Sequence, residues 1–317
     1  MESQKNSRRR LLWTLGMVLG LGFSILHGAP RAYGYQEIVV RDGGMLTGTV
    51  KLKGGKPAPR AFDLVKYYDH IYCGRISNGN GWRLLREFTI GKDRGVKEVL
   101  IMLKGIERGK PFTFKESRIE AINCQFKPYV TIVRDQGKIE VVNMDPVEHD
   151  IQAFETSEVE YWREMFVMSL PMNPGYPPKA GEDAEYHKHL PGKPMSRLIQ
   201  MTKGRHVFVM KCGIHEYMDS WGFAVDNPYY ALSDQSGRFE IDKIPPGDYK
   251  LVGWHPNARS VIEQDVHIPA KGVVSATVEI QPREDIRTGA DEVENSRSGL
   301  GNLKHKEIKP TLELQLE

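Results

Sequence analysis

From residue 36 onward, short runs rich in Val, Ile, Phe and Tyr alternate with polar residues, and Gly, Pro, Asp or Asn separates one run from the next. A period of two lines one face of a strand with apolar side chains, whereas the spacing of an amphipathic helix is scarce. The pattern predicts an all-β protein. Its candidate strands lie in "MLTGTVKLKG", "VKEVLIMLKG", "YVTIVRDQGKIEVVNMD", "GRHVFVMK", "SWGFAVD", "GRFEIDKI", "GDYKLVGWH" and "VSATVEIQ". Within the third, the break at Asp135-Gln136-Gly137 reads as a hairpin turn.

Two stretches depart from this pattern. Residues 155–205 contain "SEVEYWREMFVMSL", which reads as a short helix, and then "PMNPGYPPKAGEDAEYHKHLPGKP", whose prolines and charges predict a long irregular excursion. Residues 281–317 are polar and charged, and read as a tail or a partner-binding extension.

The first 34 residues differ again. Arg8, Arg9 and Arg10 precede an apolar run from Leu11 to Leu26, and Ala32 and Gly34 follow at the spacing of a small-residue cleavage site. That order predicts an export signal. The alternative is an uncleaved membrane anchor, for which the run is shorter than the ~20 residues a spanning helix prefers. The arginines fit either a Sec or a twin-arginine signal. Of 44 basic and 41 acidic residues in the chain, residues 1–34 hold five and one, so the mature part carries 39 against 40. A balance so near neutrality argues against nucleic-acid binding. Export places the protein where disulfides persist, and only Cys73, Cys124 and Cys212 are present. Cys73 and Cys124 are expected to pair, the alternative being two separate buried thiols.

Cys212 belongs to the segment that carries chemistry. In "KCGIHEYM" it ends a strand, and His215 and Met218 follow at intervals of three. Alternation places His206, Phe208 and Met210 on one face and Val207, Val209 and Lys211 on the other. Taken singly, Cys212 reads as a small buried hydrophobe and His215 and Met218 as packing residues. Together they form a turn able to aim a thiol, an imidazole and a thioether at one point. "IEVVNMDPVEHD" supplies a fourth donor, His149, just beyond another apolar strand. Two imidazoles with one thiolate and one thioether suit copper, and zinc would more often be given further Cys or His ligands. Glu185, His187 and His189 in "EDAEYHKH" read either as a second metal site or as a solvated loop. "DQSGRFEIDKIPPGDYKL" has turn residues between strands and no catalytic triad or carboxylate pair in a convincing context, so it reads as a structural or interaction module. An oxidase or nitrite reductase would need further copper ligands, and electron transfer without substrate turnover is expected ahead of enzyme activity.

"NMDPVEHD" followed by "CGIHEYM" resembles the cupredoxin family, and the loop spacing is most like that of amicyanins. Over most of the mature chain, "GTVKLKG", "YCG", "NCQFKPYV", the two copper motifs and "DNPYYALSDQSGRFEIDKIPPGDYKLVGWH" resemble periplasmic cupredoxin-like proteins of the methylamine-utilisation type. The resemblance implies a Greek-key cupredoxin-like sandwich followed by a smaller prealbumin-like (carboxypeptidase-regulatory-like) β-sandwich. It implies one type 1 copper ion held by His149, Cys212, His215 and Met218, with His215 nearest the surface as an electron port and Tyr217 and Trp221 shaping a docking face. Members usually place Asn directly after the first His to tie the ligand loop, and here that position is Asp150.

The expected organisation is a signal at 1–34, a β segment at 35–113 packed on the cupredoxin core, the cupredoxin-like domain at 114–226 with its insertion at 155–205, a second sandwich at 227–280 and a flexible tail at 281–317. The expected function is an exported or periplasmic electron carrier serving a redox protein such as a cytochrome or oxidoreductase. No stable membrane span remains once the signal is cleaved. The alternatives are a copper carrier or sensor, and a structural or carbohydrate-binding β module with a vestigial copper site.

Overall fold

The computed structural model describes residues 35–57, 60–63, 69–73, 82–85, 88–113, 116–156, 163–175 and 189–283. The expected signal at 1–34 and the residues beyond 283 lie outside them. Four sheets dominate the described chain. The first runs Met195–Leu198, Lys138–Asn143, Ser117–Ala121, Phe126–Lys127, and the second Arg163–Leu170, His149–Glu155, Val207–Lys211, Asp219–Val225, Val130–Arg134. In the third, the order is Tyr230–Leu232, Leu100–Lys104, Gly247–Trp254, Ile262–Ile268, and in the fourth Arg238–Ile244, Gly44–Leu52, Val273–Ile280. The fold is all-β, with the first two sheets forming one sandwich and the last two a further β-sandwich joined to it.

Three apolar cores separate the four sheets. Between the first and second lie Ile119, Ile139, Val141, Ile151, Phe166, Phe208 and Met210. Between the second and third lie Val130, Ile132, Phe223, Leu100, Met102 and Trp254. The last core, between the third and fourth, holds Ile101, Leu103, Leu251, Leu46, Val50 and Val278. Strands in the two middle layers are covered on both faces where they overlap, which explains why the first four residues of "LIMLK" and "VTIVR" are buried without alternation. Strands with one wet face keep the alternation, as in His149–Glu155.

The chain threads these layers from both ends. Gly44–Leu52 pairs with Arg238–Ile244 and, in parallel, with Val273–Ile280, and Leu100–Lys104 pairs with Tyr230–Leu232 and Gly247–Trp254. Strands from the 35–113 stretch thus complete the sheets of the 227–280 stretch, and the metal-binding candidates sit in the sandwich between. Because the two sandwiches share the Val130/Phe223/Trp254 core, the second braces the sheet that carries the ligands.

Two sequence expectations are corrected. Arg163–Leu170, read as part of a helix, is a strand paired antiparallel with His149–Glu155. Phe166, Met168 and Leu170 are its buried positions, a period of two that packing against Ile151 and Ala153 enforces. Met195–Leu198 adds a second strand from within the 155–205 stretch. The turn at Asp135–Gly137 exists, with the Gly137 N–H donating to the Arg134 carbonyl, but it joins two sheets and not two neighbours in one. Val133 before it and Ile139 after it lie in the core between those two sheets, as an arch between layers places them.

One buried group in the second sandwich makes its stability sensitive to acid. His255 is 2% exposed, packs tilted against Phe88 with ring centroids 4.4 Å apart, and accepts a hydrogen bond at Nδ1 from the Asn257 N–H at 3.1 Å. Its Nε2 has no partner, and burial pushes its pKa from the ordinary 6.5 down to about 3. Below pH 6.5 the unfolded chain therefore takes up a proton that the fold refuses. Stability that is full above pH 6.5 is lost on acidification, at up to about 1.4 kcal/mol per pH unit, until the folded pKa near 3 is reached. His255→Gln is expected to flatten that slope relative to the parent in urea unfolding between pH 7 and 4.

Candidate metal centre

His149 opens its strand with its side chain on the inward face, in register with Ile151 and Ala153. Cys212 continues the Phe208, Met210 parity of the adjacent strand, so its sulfur enters the same core. The loop between closes on itself, with the Cys212 N–H donating to the Met218 carbonyl at 3.1 Å and the Met218 N–H to the His215 carbonyl at 2.9 Å. This brings His215 back over Cys212, and Met218 joins the core at 1% exposure.

The inward donor atoms form a compact triangle. His149 Nδ1 and His215 Nδ1 are 3.2 Å apart, and the Cys212 sulfur is 3.9 Å from the first and 3.8 Å from the second. A point equidistant from these corners lies about 2.1 Å from each, inside the ~2.0–2.3 Å span of nitrogen and thiolate bonds to a first-row metal ion. Both outward nitrogens face carboxylates. His149 Nε2 lies 3.0 Å from Asp145 Oδ2, and His215 Nε2 lies 3.3 Å from Asp69 Oδ2. A carboxylate behind each ring favours the tautomer with its proton on Nε2, which would turn the Nδ1 lone pair into the triangle, the arrangement that metal-ligating histidines use. The residues present fit a thiophilic metal ion.

Burial sets the charge state of the metal-free centre. All three donor residues are at most 2% exposed. Burial, followed by the nearby His149, pushes His215 down to about 4, so it stays a neutral ligand. Burial also pushes the Cys212 thiol up to about 11, so an arriving cation must displace a proton to obtain the thiolate.

Asp150 performs the loop-tying task expected of the position after the first histidine. Its Oδ1 accepts from the Gly213 N–H at 2.5 Å, and its Oδ2 accepts from Gln152 Nε2 at 2.8 Å. Gly213 leaves room for this pair, since a Cβ would lie 2.1 Å from Gln152 Nε2 and 2.8 Å from Asp150 Oδ2 and would push those side-chain ends aside.

The sequence reading missed the residues that pack behind the ligands. Asp145 is wholly buried and accepts from Tyr72 Oη at 2.9 Å, the Asn123 N–H at 2.7 Å, the Cys124 N–H at 2.7 Å and His149. Its place four positions before His149 was a usable signal. Asp69, Tyr72 and Arg83 were not foreseeable, because they reach the site from a remote stretch. Arg83 donates to the Asn123 carbonyl at 2.6 Å and lies over the Tyr217 ring at 5.6 Å. Cys73 and Cys124 form the expected disulfide, and Cys212 is the free thiol.

Three expectations change. His215, expected nearest the surface, is 0% exposed, because the Asp69–Cys73 segment covers it. Tyr217 lies inside at 1% exposure and Trp221 packs into the core between the sandwiches, so neither forms an open docking face. Of the second metal candidate, Glu185 and His187 fall outside the described residues. His189 sits at the edge of the first centre, with Nδ1 3.8 Å from Asp145 Oδ1. Cys124, Asp145 and His149 also come together, but the Cys124 sulfur is committed to the disulfide.

No protein-family model and no curated protein matches the chain. Among solved structures, the chain is similar to a purple cupredoxin from Nitrosopumilus maritimus, with 12% identity over 35% of this chain and 100% of that one and a TM-score of 0.23. It is similar to a methionine-to-alanine mutant of amicyanin in the Cu(I) state, with 11% identity over 39% and 98% and a TM-score of 0.22. A copper-containing nitrite reductase from Thermus scotoductus matches at 17% identity over 37% of this chain and 24% of that one, with a TM-score of 0.24. At that level of similarity the reading of the site rests on this chain's own side chains.

Asp145→Ala would leave buried donors from Tyr72, Asn123, Cys124 and His149 without their acceptor. Each orphaned group costs about 1–3 kcal/mol, partly recovered by entering water. The variant is expected to lose about 3 kcal/mol or more in denaturant unfolding, and to bind metal 10- to 100-fold more weakly.

Proposed function

We propose that the protein is an exported type 1 copper protein that carries single electrons between redox partners. The observation that carries the reading is the buried triangle of two imidazole nitrogens and one cysteine sulfur, with Met218 in the same loop. His149, Cys212 and His215 would hold the ion, and the Met218 thioether would be its weak fourth donor. Bound copper supplies a one-electron change between Cu(II) and Cu(I). The protein's own residues keep the donor set in one geometry. Asp145 holds the His149 ring, Asp150 fixes the backbone beside Cys212, and the core around Met210 and Tyr217 excludes water.

Rigid, buried donors suit a carrier of electrons better than a carrier of copper, because a protein that hands over its ion needs an accessible ligand. Exchange partners are expected to be exported redox proteins such as a cytochrome or oxidoreductase, bound transiently. Export is supported by the Arg-rich apolar N-terminus and by the Cys73–Cys124 disulfide. Among the described residues no helix is long and apolar enough to cross a membrane.

The test is to load the mature protein with Cu(II) and record its visible absorption and electron paramagnetic resonance. An intense thiolate-to-copper band, lost in Cys212→Ser, is the expected result. A colourless protein that takes up no copper would refute the reading. Thiol titration of the unfolded, metal-free chain should count one free thiol, and a count of three would show that the cap over His215 is not covalently tethered.

A further inference from the structure

We infer that Asp69 is a positioning residue for the metal centre. It lies on a disulfide-tethered cap, and through its carboxylate it sets the electron donation of His215. The inference rests on the copper reading and goes beyond it, since Asp69 lies in the stretch before the cupredoxin-like sandwich and touches no ligand atom of the triangle. Its Oδ2 faces His215 Nε2 at 3.3 Å, on the side of the ring away from Cys212.

The cap has little freedom to drift. The Tyr72 and Cys73 N–H groups donate to the Asp69 carbonyl at 3.1 and 2.9 Å, which makes residues 69–73 one hydrogen-bonded turn. Tyr72 Oη donates to Asp145, the carboxylate that also holds His149. Cys73 is bonded to Cys124, whose own N–H donates to Asp145, and the Cys73 sulfur lies 3.8 Å from His215 Nε2. One turn thus reaches both histidines, one through Asp69 and the other through the Tyr72–Asp145 bond.

A carboxylate against Nε2–H makes an imidazole a stronger donor at Nδ1, and stronger donation favours the more highly charged, oxidised ion. Asp145 does this for His149 from full burial, whereas Asp69 does it for His215 from a side chain that is 25% exposed. Water screens the second carboxylate more than the first, so the effect of Asp69 belongs at the lower end of the 10- to 100-fold range for such partners.

The experiment uses the full mature chain and two charge-removing variants, Asp69→Asn and Asp69→Ser, with Asp69→Glu as the conservative control. In copper-loaded protein, Asp69→Asn should weaken Cu(II) binding about tenfold and leave Cu(I) binding unchanged, an upward shift of about 59 mV in a one-electron couple. Asp69→Glu should return most of it. In metal-free protein, the His215 Nε2 proton followed by nitrogen-edited NMR should exchange with water faster in Asp69→Asn than in the parent. Folded Asp69→Asn, or Asp69→Ser if the first does not fold, with parental potential and parental proton exchange would overturn the inference. Should the parent take up no copper, the copper reading fails by itself, and the proton-exchange comparison alone decides whether Asp69 holds the ring.

Discussion

A single buried carboxylate organises the metal end of this protein. Asp145 has no exposed surface, and an unpaired charge there would be prohibitive. It is stable because donors converge on it from three parts of the chain: Tyr72 from the cap, the Asn123 and Cys124 backbone from the disulfide turn, and the His149 ring from the second sheet. Hydrogen bonds to an ionised acceptor are the strong kind. The same contacts that compensate for burying the charge fix the tautomer of His149, the path of the disulfide turn and the seat of the cap. The donor triangle is therefore a consequence of how one charge is accommodated.

The layered architecture provides what that arrangement needs in rigidity. The ligand-bearing sheet is packed on one face by the Ile119/Phe208/Met210 core and, along Val130–Arg134 and Asp219–Val225, on the other by Leu100, Met102 and Trp254. Close-packed interiors resist small displacements. A loop of three donors anchored at the rim of such a sheet has few ways to rearrange when its charge changes, the property an electron carrier requires. The second sandwich accordingly serves as a brace, and strands from both ends of the described chain close it.

How much of this was legible in the sequence depends on how far the interaction travels. Cys212, His215 and Met218 were readable because chemistry and spacing coincide within one turn, and parity along Phe208 and Met210 aimed the sulfur inward. His149 was readable from its residue type beside an apolar strand. The turn at Asp135–Gly137 was visible while its role was not, since local residues specify a reversal but not whether the next strand joins the same sheet. Arg163–Leu170 was misread because its buried Phe166, Met168 and Leu170 are too few to separate a period of two from a helical face until a partner strand selects one. Asp69 and Arg83 were invisible, because nothing near them marks a site that assembles more than a hundred positions downstream.

Covering His215 changes what the surface of the centre is made of. With both imidazoles and Tyr217 inside, the part of the ligand loop that meets solvent is Gly213, Ile214 and Glu216. Ile214 is an exposed apolar side chain, and its neighbour Gly213 follows Cys212 directly and is held by Asp150. The shortest covalent path from the donor triangle to the outside therefore runs through the cysteine and its following peptide, not through a histidine edge. What is gained is a low-dielectric surrounding for both rings, in which the buried Asp145 acts with little screening and the part-exposed Asp69 with more.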